Sequence, residues 1–464
     1  MASPGSSFII VGAGVFGLST AIHLQHRGFK NVTIFDKQDY HKSAYSPFDG
    51  GDSASADSHK VIRSAYGPNK PLQDLANRAI GTWKQWNADS GVELFSHSGW
   101  ARVTDIGRPQ DVDIATFNTL KLVGLGDTQY FLNNDEDLKR ARQQGWYGPR
   151  FDQFNRRERG LPLDGVFDAN AGMVQADLAC KYALQLAKSG GATTIFGPGQ
   201  GEFTEFIRAE NEPDRVIGIK TKDGKEHRAD YVIVAAGPYT PQIVPELQSF
   251  VTATAGNFIF VKVPEHVRHR YEADVFPTWA WNYSGNSESG GLTGFPVDRH
   301  GNLKISYRSP KWTNPVASTS QEALISIPVT IEEIASHGGP PLSPLEETKA
   351  FIKENLPELV GEEITLAKMC WYTDTVDLQF VMDRVPSTEG LVVVTGGSGH
   401  GFKFLPVLGE YVVDVLEGKS NEYTQLWKWR TPSAEDIARI QTNTTSDERN
   451  WHKQPLASAE NLKW

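Results

Sequence analysis

The stretch that most constrains this chain runs from Phe8 to Asp36. Phe8 to Val11 is a short β-rich apolar run. Gly12-Ala13-Gly14-Val15-Phe16-Gly17 follows, and then a helical pattern from Leu18 to Arg27 that Gly28 is placed to end. Val32 to Phe35 is a second apolar run, closed by Asp36. Strand, glycine turn, helix, strand and acidic end form a βαβ unit with the G-x-G-x-x-G fingerprint. Gly12 permits the tight turn, Gly14 lets the backbone approach a pyrophosphate, and Gly17 lets helix and strand pack closely. A carboxylate at Asp36 accepts hydrogen bonds from ribose hydroxyls and repels a 2′-phosphate. The expectation is an α/β domain that binds a dinucleotide.

Composition narrows the remaining classes. The 464 residues suffice for two or three domains. With 46 Lys plus Arg against 56 Asp plus Glu, the net charge of −10 argues against a nucleic-acid surface. Two cysteines, Cys180 and Cys370, are too few for a disulfide framework and favour a reducing compartment. The opening MASPGSSF lacks the basic and apolar regions of a signal peptide, and the NLKW ending is not an SKL-type address. The expected location is therefore the cytoplasm, with the peroxisome as the alternative. Neither a metal site nor a membrane or nucleic-acid partner is expected.

A second glycine cluster sits far along the chain. Leu391 to Val394 reads as a buried strand, followed by Gly396, Gly397, Gly399 and Gly401 and an apolar helical stretch from Phe404 to Leu416. Glycines between strand and helix let the backbone come close to an anionic group facing the helix start. A third apolar run, in RADYVIVAAGPYT, ends at Ala235-Ala236-Gly237. Between these lie β-rich segments of different texture, Phe250 to Val263 and Val275 to Arg308, with Trp279, Trp281 and Tyr283 expected to shape a substrate pocket. The nucleotide domain is thus expected to be discontinuous, over 1–82, 150–245 and 370–430, with an antiparallel-sheet substrate domain over 83–149 and 246–369 and a surface tail over 431–464. That interleaving favours FAD over NAD.

Four stretches together carry a resemblance: IIVGAGVFGLSTAIHL, SADSHKVIRSAYG, GNLKISYR, and CWYTDTVDLQFVMDR with GGSGHGFKFLP. The chain resembles the glutathione-reductase-like flavoprotein amine oxidases, the group of monomeric sarcosine oxidase, pipecolate oxidase, saccharopine oxidase and fructosyl amino acid oxidase (amadoriase), from about Phe8 to Gly418. The resemblance implies a monomeric FAD-dependent oxidase of a secondary-amine amino acid. It converts the C–N bond to an imine that hydrolyses and reduces O₂ to H₂O₂. The alternatives are an amadoriase acting on glycated amino acids and a tailoring amine oxidase.

The resemblance also implies roles. Cys370 would carry the flavin covalently through its 8α carbon, as an 8α-S-cysteinyl link, whereas Cys180 reads as a packed thiol. Lys403 and Arg63 would grip the substrate carboxylate, and Arg63 favours amino-acid-like amines because amadoriases often lack it. Lys304 would lie over the flavin and activate O₂, and Tyr372 would line the substrate side. Further cofactor contacts are expected at Ser55, Lys60, Val174, Ala236, Gly237, Gly399, His400, Gly401, Phe402 and Lys403. Two positions depart from sarcosine oxidase: Lys60 replaces an arginine near the flavin and Arg308 replaces a pocket histidine. Arg308 is expected to read a second anionic group on a larger amine.

Overall fold

The strand Ser7–Val11 lies in the middle of a six-stranded sheet. A computed structural model of the chain describes residues 1–49, 51, 53–146, 148–282, 291–318 and 323–464. In it, Ser7–Val11 pairs in parallel with Asn31–Asp36 on one side and Tyr231–Val234 on the other. Thr193–Phe196 and Leu391–Thr395 extend the parallel set, and Val381–Arg384 adds an antiparallel edge. The three central strands, buried on both faces, need continuous apolar runs, which IIV, YVIV and LVVV supply. The helix Val15–His26 packs on one face against the helices Ala176–Ser189 and Gly409–Glu417.

A second, eight-stranded sheet is mainly antiparallel. Its order runs Ile364–Thr375, Val251–Lys262, Asn302–Trp312, Leu292–Gly294, Thr278–Trp281, Trp100–Thr104, Asp164–Asp168 and Gln129–Phe131. Two strands fall here that were assigned by sequence to the nucleotide unit or its border. Asp164–Asp168 pairs with Trp100–Thr104, and the strand bearing Cys370 pairs with Val251–Lys262. A small sheet of His59–Ile62, Gly172–Gln175 and Phe95–Ser96 lies between the two large ones in the chain path.

Three expectations are corrected. The helix read as starting at Phe404 begins at Gly409, after a 3₁₀ turn over Phe402–Phe404. Pro406 lacks an N–H, so the helical ladder cannot run unbroken through it. Among the described residues, Trp279 and Trp281 do not line the cavity that starts at the first glycine turn. They are buried in the core of the second sheet against Phe154 and Phe351, while Tyr283 lies outside the described residues. The C-terminal tail does more than cover the surface. Trp451 is fully buried with Trp312 and Trp371, and its indole N–H donates to Asn314 Oδ1 at 3.2 Å. No described helix is long and apolar enough to cross a membrane.

Candidate functional site

The first glycine turn forms one end of a cavity of about 670 Å³. Gly12 has φ +111°, and a Cβ there would meet the Ala235 carbonyl oxygen at 2.3 Å. At Gly17 a Cβ would lie 1.8 Å from the Gly12 carbonyl oxygen. Any side chain at either position would push the helix off the sheet. At Gly14 the space is bounded by Ser55 Oγ, which accepts the Val15 N–H at 3.1 Å. Asp36 closes the turn from the side: it accepts the Ala13 N–H at 2.7 Å through one oxygen and the Gln38 N–H at 2.8 Å through the other. An ionised carboxylate has about four acceptor sites, so it retains capacity toward a ligand.

From this turn the cavity runs past Ala236 and Gly237 to Lys60, Tyr372, Gly399, His400, Gly401 and Phe402. The second glycine turn forms the far end. Gly396, Ser398 and Gly399 all have positive φ. Among the described residues, the amides of Gly399, Phe402 and Lys403 donate to no backbone carbonyl. Oriented free amides of this kind attract negative charge. With the long helix displaced to Gly409, they supply that attraction in place of the helix dipole expected from the sequence. Val174 does not border this cavity. It is buried in Gly172–Gln175, opposite Lys60 in the small sheet. Phe203, absent from the expected contacts, does line it.

Beyond Tyr372 three cations gather. Lys403 is 4% exposed, and its Nζ donates to the Tyr66 hydroxyl at 2.9 Å and the His400 carbonyl at 3.0 Å. Burial, with the Arg63 and Arg308 guanidiniums nearby, pushes its ammonium well below the usual lysine range. Arg63 stacks over the Tyr66 and Trp100 rings at 4.7 and 5.3 Å and donates to the Ala65 carbonyl. Arg308 lies in an irregular stretch between Tyr307 and Trp312 where the sheet register slips. Its guanidinium stands over Tyr372 and occupies the space that a Cβ on Gly399 would need. His400 Nε2 lies 3.0 Å from the Leu378 carbonyl, which can only accept. That nitrogen therefore carries the proton, and Nδ1 accepts from the Tyr66 hydroxyl at 3.0 Å. Burial and the neighbouring cations keep this imidazole neutral. Tyr66 was missed by the sequence reading, although it stands three residues beyond Arg63.

Two positions before Tyr372 on the same strand lies Cys370, 8% exposed among Phe258, Phe260 and Tyr372. Opposite it in the sheet is Gly256, where a Cβ would come within 3.0 Å of the Tyr372 hydroxyl. Lys60 Nζ lies 3.9 Å from the Cys370 sulfur. Lys304 is buried rather than exposed on its strand, and it donates to Asp57 Oδ2 at 2.5 Å and the His59 carbonyl at 3.2 Å. Burial lowers the Lys304 ammonium to about 8 and pushes the Tyr372 phenol up to about 12. Asp57, the partner of Lys304, carried no expectation. Cys180 is fully buried in the helix Ala176–Ser189.

Comparison with known proteins places the chain in a family. The family model described as FAD dependent oxidoreductase matches residues 7–415. The chain is 26% identical over 445 residues to the L-saccharopine oxidase of Schizosaccharomyces pombe, covering 91% of this chain and 93% of that protein. It is 25% identical over 425 residues to the N-methyl-L-tryptophan oxidase of Salmonella typhimurium, covering 89% of this chain and 95% of that protein. Among solved structures, the deglycating fructosamine oxidase of Aspergillus fumigatus (Amadoriase II) superposes with a TM-score of 0.71 and 28% identity, covering 99% of this chain and 95% of that one.

Proposed function

The chain belongs to the FAD dependent oxidoreductase family, and on that premise we propose that it oxidises a secondary-amine amino acid bearing more than one carboxylate. The residues present suit the cofactor. The Gly12, Gly14 and Gly17 cradle leaves room for a pyrophosphate, Asp36 and Ser55 border it, and the free amides of Gly399, Phe402 and Lys403 suit an electron-rich ring edge. FAD held there would supply a two-electron acceptor for the C–H bond beside the amine, with O₂ as the final acceptor, reduced to H₂O₂. Cys370 is the candidate for a thioether to the flavin 8α carbon.

The convergence of Arg63, Arg308 and Lys403 on one turn carries the substrate reading. The buried Lys403 ammonium and the two half-buried guanidiniums repel one another, and a multiply charged anion relieves that repulsion. A guanidinium binds a carboxylate through two parallel hydrogen bonds, and an ammonium adds a point charge. In this reading Arg63 and Lys403 fix the α-carboxylate, Tyr66 and His400 hold Lys403 in place, and Arg308 meets a further carboxylate. Lys304 supplies buried positive charge where electrons pass to O₂. The relatives named for saccharopine, N-methyltryptophan and fructosyl substrates all act on N-substituted amino groups, which supports a secondary amine here.

The test is a peroxide-release screen over sarcosine, pipecolate, saccharopine, fructosyl amino acids and N-methyl aromatic amino acids. The expected result is the highest kcat/KM for the amine with additional carboxylates. Arg308→Ala should raise KM for that substrate at least tenfold more than for sarcosine. Equal effects on both, or preferred oxidation of a fructosyl amino acid, would overturn the substrate class.

A further inference from the structure

Asp57 has no role in the reaction as described so far, yet it occupies a singular place. It is 1% exposed, and its Oδ2 accepts from both Lys304 Nζ at 2.5 Å and Lys60 Nζ at 2.7 Å. Lys304 arrives from the strand Asn302–Trp312, 247 positions away, and stands over the Phe258 and Phe295 rings at 4.6 and 5.2 Å. Lys60 reaches the same oxygen from the strand His59–Ile62, three residues further along the chain, with its Nζ 3.9 Å from the Cys370 sulfur. Two ammoniums buried together would expel each other or lose a proton, and one shared carboxylate prevents both.

We propose that Asp57 is a positioning residue that holds the Lys60 and Lys304 ammoniums at fixed points beside Cys370 and keeps both charged. This rests on the reading that Lys304 supplies the positive charge for O₂ reduction.

The surrounding groups give the inference a sign. Burial lowers Lys304 to about 8; the Asp57 carboxylate raises it, Lys60 lowers it, and Cys370 also faces it. His59, bonded to the Ser58 hydroxyl and stacked on Phe295, is lowered by burial to about 3 and stays neutral above that. Tyr372, at about 12, stays protonated. Arg299, near His59, is tied to Asp177. Removing the Asp57 charge therefore lowers the Lys304 midpoint, whereas removing the Lys60 charge raises it.

The experiment follows the visible absorption of the bound flavin in the holoenzyme against pH, and flavin reoxidation by O₂ in stopped flow over the same range. The wild-type enzyme should show one transition at about pH 8 in both, with reoxidation slowing as pH rises because the ammonium loses its proton. Asp57→Asn should move that midpoint down by roughly one unit, Lys60→Met should move it up, and Lys304→Met should abolish it. Midpoints that stay in place, or that move in the same direction in Asp57→Asn and Lys60→Met, overturn the role of Asp57. A Lys304→Met enzyme that reoxidises at the wild-type rate instead overturns the assignment of Lys304, a distinguishable failure. Should Asp57→Asn yield no holoenzyme, the upward shift in Lys60→Met and retention of the wild-type midpoint in Asp57→Glu decide the matter, and the absence of either overturns the proposal.

Discussion

The Cys370 sulfur and the Lys60 ammonium face each other at 3.9 Å across 310 positions of chain. One comes from an edge strand of the eight-stranded sheet and the other from the short strand His59–Ile62. Their meeting brings the candidate tether to the end of the cavity that starts at the glycine fingerprint. Cys370→Ser should yield a protein whose flavin is released by acid precipitation, where the wild-type flavin stays with the pellet. Flavin retained in the Cys370→Ser pellet would remove Cys370 as the point of attachment.

Arg63 and Lys403 are expected to act as one grip. Losing a charge-assisted hydrogen bond to a buried carboxylate costs about 2–3 kcal/mol, so Arg63→Ala or Lys403→Met should each lower kcat/KM roughly 30- to 150-fold. The double variant should lose less than the product of the two, because both act on one group. Steady-state kinetics on the three enzymes measures this, and full multiplicativity would separate their roles.

Acid should destabilise the fold before most carboxylates titrate. His59 is buried, and burial lowers it to about 3 from an ordinary 6.5. Between those values the unfolded chain binds a proton that the folded chain does not, so stability falls as pH falls through the window. The slope from His59 alone is at most about 1.4 kcal/mol per pH unit. Urea unfolding at several pH values between about 7 and 5 should show it, and His59→Asn should flatten it. Parallel curves for the two proteins would exclude His59 as the source.

The tail should prove structural. Trp451 fills a cluster with Trp312 and Trp371, the latter next to Cys370 in sequence. Trp451→Ala leaves a large cavity and an unpaired Asn314 Oδ1, at a cost of about 3–5 kcal/mol. Thermal unfolding should show a lowered midpoint. An unchanged midpoint would mean that the cluster closes over the gap.

The fingerprint from Phe8 to Asp36 was legible because its causes are local. A strand, a turn that only glycine fits, and a helix end all leave marks within a few residues of one another. The segment from Cys370 to Lys403 was legible in the same way, as a strand and a glycine turn, although its helix starts later than the apolar pattern suggested because Pro406 interrupts the ladder. Burial, by contrast, leaves no local mark. Trp279 and Trp281 read as pocket residues until Phe154 and Phe351 are seen packed on them.

By itself, then, the sequence determined the nucleotide-binding unit, the glycine turns and the residue types able to grip an anion. Only the tertiary structure decided that Asp57 lies between Lys60 and Lys304, that Tyr66 links Lys403 to His400, and that Arg308 joins Arg63 and Lys403. The physical reason is that a charge acquires its meaning from its partners and from the water it has lost, and both are set by segments hundreds of residues apart.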